Sequence, residues 1–134
     1  MSRRKPVVEL SDLQLAVMRV LWEQGEATVA EVHAALLKAR GLAPTTIATT
    51  LKRLEARGVV DHRSEGRLFV YRPLLDEGAL RTSMLGALTD RLFRGDPAAV
   101  VNHLLEERDI EPRELTRLKA LIDARQRASK RRRP

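Results

Sequence analysis

At 134 residues the chain has room for one core, or one core plus a small accessory module, and its 25 Lys/Arg against 18 Asp/Glu leave a formal net charge of +7. The absence of cysteine excludes disulfides and thiolate metal sites and fits a reducing compartment. No apolar run approaches the length of a membrane span, and Trp22, Phe69, Tyr71 and Phe93 are too few for an RNA-stacking platform. The charge is segregated: 12 Lys/Arg against 8 Asp/Glu up to Pro73, 7 against 10 from Leu74 to Ala124, and 6 against none from Arg125 to Pro134. That pattern reads as a basic N-terminal module, a mildly acidic middle and a basic tail, and a basic balance favours nucleic acid or another anionic surface.

In chain order, residues 1–8 read as a basic flexible arm; with no apolar signal core after it, the arm is not a secretion signal, and a cytoplasmic, nucleoid-associated protein is expected. Ser11 suits the N-cap of a first helix whose Leu13, Val17, Val20 and Leu21 recur at helical spacing, and Gly25 stops it. Thr28 with Glu31 forms a capping-box pattern for a second helix carrying Val32, Leu36 and Leu37. Pro44 to Gly58 then places Ile47, Leu51 and Leu54 on one stripe of a third helix. Its other face carries Thr45, Thr49, Lys52, Arg53 and Ala56, with Thr46 and Ala48 at the edges, and no acid. A face made for solubility mixes signs; this one suits close approach to a polyanion and points to a DNA-recognition helix. Three short helices with tight connectors are a helix-turn-helix pattern.

After Gly58 the period becomes alternating. A hairpin is expected, turning at Ser64-Glu65-Gly66 and returning through Arg67 to Pro73, with Arg63, Ser64 and Arg67 at its tip to hold a nucleic-acid backbone. Helical spacing resumes in Leu80, Met84, Leu88 and Leu92, then in Val100, Val101, Leu104 and Leu105, and finally in Leu115, Leu118, Leu121 and Ile122, with breaks at Gly95-Asp96-Pro97 and before Pro112. Helices this short are marginal in water, so a second copy of the chain is the expected cover for Leu88, Leu92, Val100, Val101, Leu104, Leu105, Leu115, Leu118, Leu121 and Ile122. The fold class is therefore mainly α: a winged helix-turn-helix domain of three helices plus a β-hairpin wing over 9–74, then a helical dimerisation domain over 75–124 and a disordered basic tail over 125–134. The tail reads as a solubilising end, or more sharply as a phosphate-contacting arm. His33, His62 and His103 lie in separate elements, so no metal site or cofactor is expected. The acidic residues of the last helices read as a solvated face, since no cleft or nucleophile accompanies them, and no enzymatic activity is expected. The competing function class is a winged-helix protein-interaction module without DNA binding.

The segments LSDLQLAVMRVLWEQGEATVAEVHAAL, TTIATTLKRLEARGVV, FVYRPL, LFRGDPAAVVNHLLEE and EPRELTRLKALI, in this order, resemble the penicillinase-repressor (BlaI/MecI/CopY-type) family of bacterial transcription regulators, over about residues 9 to 124. The resemblance implies a homodimer that binds a palindromic operator and represses transcription, with base-reading positions Thr45, Thr46, Ala48, Thr49, Lys52 and Arg53. Ala48 stands where the family tends to carry a longer polar residue, and a methyl group offers only an apolar contact to thymine. In antibiotic-responsive members a membrane metalloprotease sensor acts upstream, and the repressor is cut at an Asn-Phe pair in the helix after the Gly-Asp break. Here that region is Asn102, His103 and Leu104, and the Asn-Phe pair is absent. The cysteine motif of copper-responsive members is absent as well.

Overall fold

The computed structural model describes residues 8–132. The chain runs α1 (Asp12–Gln24), β1 (Ala27–Thr28), α2 (Val29–Arg40), α3 (Pro44–Ala56), β2 (Val60–Glu65), β3 (Leu68–Pro73), α4 (Glu77–Phe93), α5 (Pro97–Glu107) and α6 (Pro112–Arg132). It divides into two compact units, 1–88 and 89–134.

The helix ends follow from local chemistry. Ser11 and Gln14 close a reciprocal capping box at α1, and Thr28 with Glu31 closes another at α2, each satisfying two amides that the helix cannot. α3 has no side-chain cap; Ala43 precedes it and Pro44 occupies its first turn, where a missing N–H costs nothing. It ends in a Schellman turn: the Gly58 amide donates to the Glu55 carbonyl at 3.0 Å and the Val59 amide to the Leu54 carbonyl at 3.1 Å. Gly58 sits at φ 78°, where a side chain would strain the backbone, and this turn sends the chain directly into the hairpin.

The first unit has one core, in which Val17, Met18 and Leu21 of α1, Val32 of α2 and Ile47, Leu51 and Leu54 of α3 are fully buried with Val60 and Tyr71 of the sheet. The sheet is antiparallel with strand order β1-β3-β2. β1 is not apparent in the sequence. Ala27 and Thr28 pair with Tyr71 and Val70, and two residues are too few to show an alternation. The hairpin turn also begins two residues later than expected and ends one residue later. Ser64 and Glu65 are in β2, opposite Phe69 and Leu68, and the loop is Gly66-Arg67. Gly66 has φ 59°, as the first central residue of a type II′ turn requires.

Three expected boundaries move. From the sequence the winged domain ends at 74, whereas the first unit extends to Leu88, because Leu80 and Ala87 of α4 are buried and Met84 packs on the core. The Trp22 indole, donating to the Leu75 carbonyl at 2.8 Å, pins the entry to α4. Val8, assigned above to the flexible arm, exchanges two hydrogen bonds with the Ser83 hydroxyl, at 2.8 and 3.1 Å; the rest of that arm lies outside the described residues. The basic tail, expected to be disordered from 125, is helical to Arg132. Its Arg and Lys are good helix formers and place positive charge at the negative end of the helix dipole.

In the second unit the residues of α5 and α6 are exposed or half-buried, none fully buried. Leu92 (72 % exposed), Val101, Leu104, Leu105, Leu115, Leu121 and Ile122 are open to solvent, as is Leu88 at the end of the first unit; Val100 and Leu118 are half-buried. Within the unit, Asp96 caps α5 through the Ala98 amide, and Phe93 meets His103 edge-on at 5.8 Å.

Because α4 closes the first core, Leu80→Ala is expected to destabilise the winged unit by about 2–5 kcal/mol. Urea unfolding followed by the fluorescence of Trp22, the single tryptophan, measures it. An unchanged midpoint would remove α4 from that core.

Candidate nucleic-acid interface

α3 is fixed in rotation by what it buries. Ile47, Leu51 and Leu54 point fully inward, and Thr50 joins them, 7 % exposed, with its hydroxyl donating to the Thr46 carbonyl at 2.8 Å. The residues left outward are Thr45, Thr46, Thr49, Lys52 and Arg53, all exposed, with Ala48 half-buried at the edge. Lys52 and Arg53 have no hydrogen-bond or ion-pair partner among the described residues. The Thr49 hydroxyl gives its proton to the Thr45 carbonyl at 2.9 Å, so outward it offers a methyl group and an acceptor lone pair, not a donor. The one acid of α3, Glu55, is half-buried and meets His62 Nδ1 at 2.6 Å.

That contact fastens α3 to the wing. His62 stacks on Phe69 with ring centroids 4.2 Å apart and leans on Tyr71 at 5.4 Å. Burial, and then the charge of Glu55, push the Tyr71 phenol above its ordinary value. A second brace is less visible from sequence: His33 of α2 reaches the Leu42 carbonyl at 2.8 Å, tying the helix to the turn that leads into α3.

The wing residues separate. Successive side chains of a strand face opposite ways, so with His62 turned toward α3, Arg63 lies on the other side of the sheet. There its guanidinium bonds both carboxylate oxygens of Glu26 and reaches Glu65 at 2.7 Å. Arg72 grips Asp61 on the same face, at 2.6 and 3.0 Å, and the two clusters lie over Val70. Arg63, expected above to hold a nucleic-acid backbone, is therefore already satisfied by two acids. Ser64 is exposed on β2, and Arg67, in the turn, is exposed with no partner among the described residues. Glu26 and Glu65 are the residues that sequence reasoning missed; Glu26 is far in sequence, and only the placement of β1 beside β3 brings it within reach.

This geometry is that of a winged helix-turn-helix protein: a buried-backed third helix with a polar, unpaired outer face, and a hairpin beside it. The model of the family described as "Penicillinase repressor" matches residues 10–124. The penicillinase repressor of Bacillus licheniformis is 31 % identical over 119 residues, covering 89 % of this chain and 93 % of that protein. The transcriptional regulator BlaI of Mycobacterium tuberculosis is 35 % identical over 102 residues, 75 % of this chain and 74 % of its own. Among solved structures, the DNA binding domain of the repressor BlaI superposes with TM-score 0.50 at 39 % identity, covering 57 % of this chain and 93 % of that one. The chain belongs to the penicillinase repressor family.

The wing network carries a pH signature. The Arg63 guanidinium holds the Glu26 carboxyl below the usual carboxylate range, and Arg72 does the same to Asp61. A carboxyl depressed in the folded state contributes stability that is complete above its unfolded value, about 4.3 for Glu, and is lost as pH falls through the lower folded value. Both pairs face solvent, so the effect is small. A Glu26→Gln variant is expected to melt slightly below wild type at neutral pH and level with it in acid, by calorimetry. A gap that persists in strong acid would assign it to something other than the ion pair.

Proposed function

We propose that the chain is a sequence-specific DNA-binding transcriptional repressor, working in the cytoplasm at the nucleoid as a homodimer on a palindromic operator. The observation that carries this reading is the outer face of α3: exposed Thr45, Thr46, Thr49, Lys52 and Arg53, cations unpaired, on a helix whose opposite stripe is fully buried. The names of its relatives, repressors and a DNA-binding domain, support the same reading.

In the proposed complex α3 enters the major groove. Lys52 and Arg53 reach guanine edges or phosphates, and the methyls of Thr49 and Ala48 meet thymine. Arg67 at the wing tip, with Ser64, holds the backbone without reading sequence. Arg63 adds little, because Glu26 and Glu65 already offset its charge. With few hydrogen-bonding groups on α3, half-site spacing of about 34–36 Å and DNA shape supply much of the specificity.

The dimer is proposed to form through Leu88, Leu92, Val100, Val101, Leu104, Leu105, Leu115, Leu118, Leu121 and Ile122, because most of them are exposed in the single chain and water is a poor neighbour for them. Tethering makes the second half-site contact intramolecular, so loss of the dimer releases the operator. Relief by signal-driven proteolysis, with a membrane metalloprotease sensor upstream, fits the exposed position of Asn102, His103 and Leu104 on α5, where a cut divides the apolar set between two fragments.

On DNA from upstream of the chain's own gene, the Lys52→Ala/Arg53→Ala double variant is expected to bind at least tenfold more weakly than wild type, from about 1–3 kcal/mol per lost base contact. Equal mobility shifts for the two proteins would refute the reading helix. For the dimer, Leu104→Asp/Leu118→Asp in the full chain is expected to sediment as a monomer and to lose operator affinity together. A variant that still sediments as a dimer would place the interface elsewhere.

A further inference from the structure

The last turns of α6 differ in composition from the rest of the helix. Its large apolar residues end at Ile122, and the family match ends at residue 124. Beyond that point Arg125, Arg127, Lys130, Arg131 and Arg132 follow without an Asp or Glu. All five are exposed, and none has a carboxylate partner among the described residues. They are nonetheless ordered on a helix that continues to Arg132. Eight residues of helix rise about 12 Å, so five like charges are crowded into a short rod. At 100° per residue they spread over about 220° of the helix circumference, which suits an extended polyanion and not one oriented ligand.

We propose that Arg125–Arg132 is a second DNA-binding element, a cationic helical prong that holds duplex phosphates without reading sequence. This rests on the DNA-binding reading of the winged unit. DNA suits the segment better than an anionic membrane does, because the segment has no apolar face to enter a bilayer beyond the methyls of Ala124 and Ala128. Four of the five cations are Arg, whose planar fork matches phosphate oxygens. The duplex supplies one charge per about 1.7 Å along its axis, a density comparable to that of the prong.

The test uses the full chain with Arg125, Arg127, Lys130, Arg131 and Arg132 all changed to Gln, a helix-compatible neutral residue, its helicity checked by circular dichroism. A second variant, with the four Arg changed to Lys, keeps the charge. Affinity for upstream DNA and for an unrelated duplex is measured across salt concentrations. Each lost phosphate contact lowers the log-affinity versus log-salt slope by about 0.9, so with about two contacts per chain, hence about four per dimer, the wild-type advantage shrinks roughly a hundredfold between about 50 and 200 mM salt. The expected result is that shrinkage on both duplexes for the Gln variant and a wild-type slope for the Lys variant. A wild-type slope for the Gln variant overturns the prong while leaving the winged reading intact. Failure of the wild-type chain to bind either duplex overturns both. If the Gln variant keeps its DNA slope but loses co-sedimentation with phosphatidylserine vesicles, the prong is a membrane contact and the proposal falls.

Discussion

The arrangement depends on the burial of one stripe of α3. Ile47, Leu51 and Leu54 are wholly removed from water among residues of α1, α2 and the sheet, each contributing about 1.5–3 kcal/mol relative to exposure. Turning the helix by even one residue, 100°, would drive a threonine or a cation into that core. The face that α3 presents is therefore chosen by the face it hides, and Lys52 and Arg53 need no partner of their own to be held outward. The Schellman turn at Gly58 extends the constraint to the wing: once Leu54 and Val59 are both buried, the path into β2 is set.

The wing shows how a period of two sorts charge. His62 turns inward to Glu55, Phe69 and Tyr71 and couples the hairpin to α3, while Arg63, one residue on, falls among acids on the opposite side. The sheet's far face is thereby close to neutral, with Arg63 and Arg72 offset by Glu26, Glu65 and Asp61. Lys52 and Arg53 on α3 and Arg67 on the wing tip keep their charge without a carboxylate partner among the described residues, as do Arg19 on α1 and Lys38 on α2.

The two units solve the burial problem differently. The first closes its core by borrowing the front of α4, with Leu80, Met84 and the Trp22–Leu75 hydrogen bond holding it there. The second, 89–134, encloses no core among its described residues, and within the single chain most of its leucines are exposed. α6 then changes character halfway, from an apolar stripe to a run of cations, and the helix carries that run onward as an ordered element.

The sequence by itself determined the helices of the first unit, their caps, the inward stripe and outward face of α3, the existence of the hairpin and the family. Each of these is written in nearest neighbours: a Ser or Thr three residues before its partner, apolar residues three or four apart, a glycine where φ must be positive. Tertiary structure decided what depends on distant residues meeting. The pairing of Ala27 with Tyr71, the ion pair of Arg63 with Glu26, the contact of Glu55 with His62 and the anchoring of Val8 to Ser83 join positions from 7 to 75 residues apart. No local period encodes such meetings, because they follow only once the core has packed. The division at Leu88 has the same origin: α4 repeats every four residues along its length, and which of its leucines find the first core is settled by where that core ends.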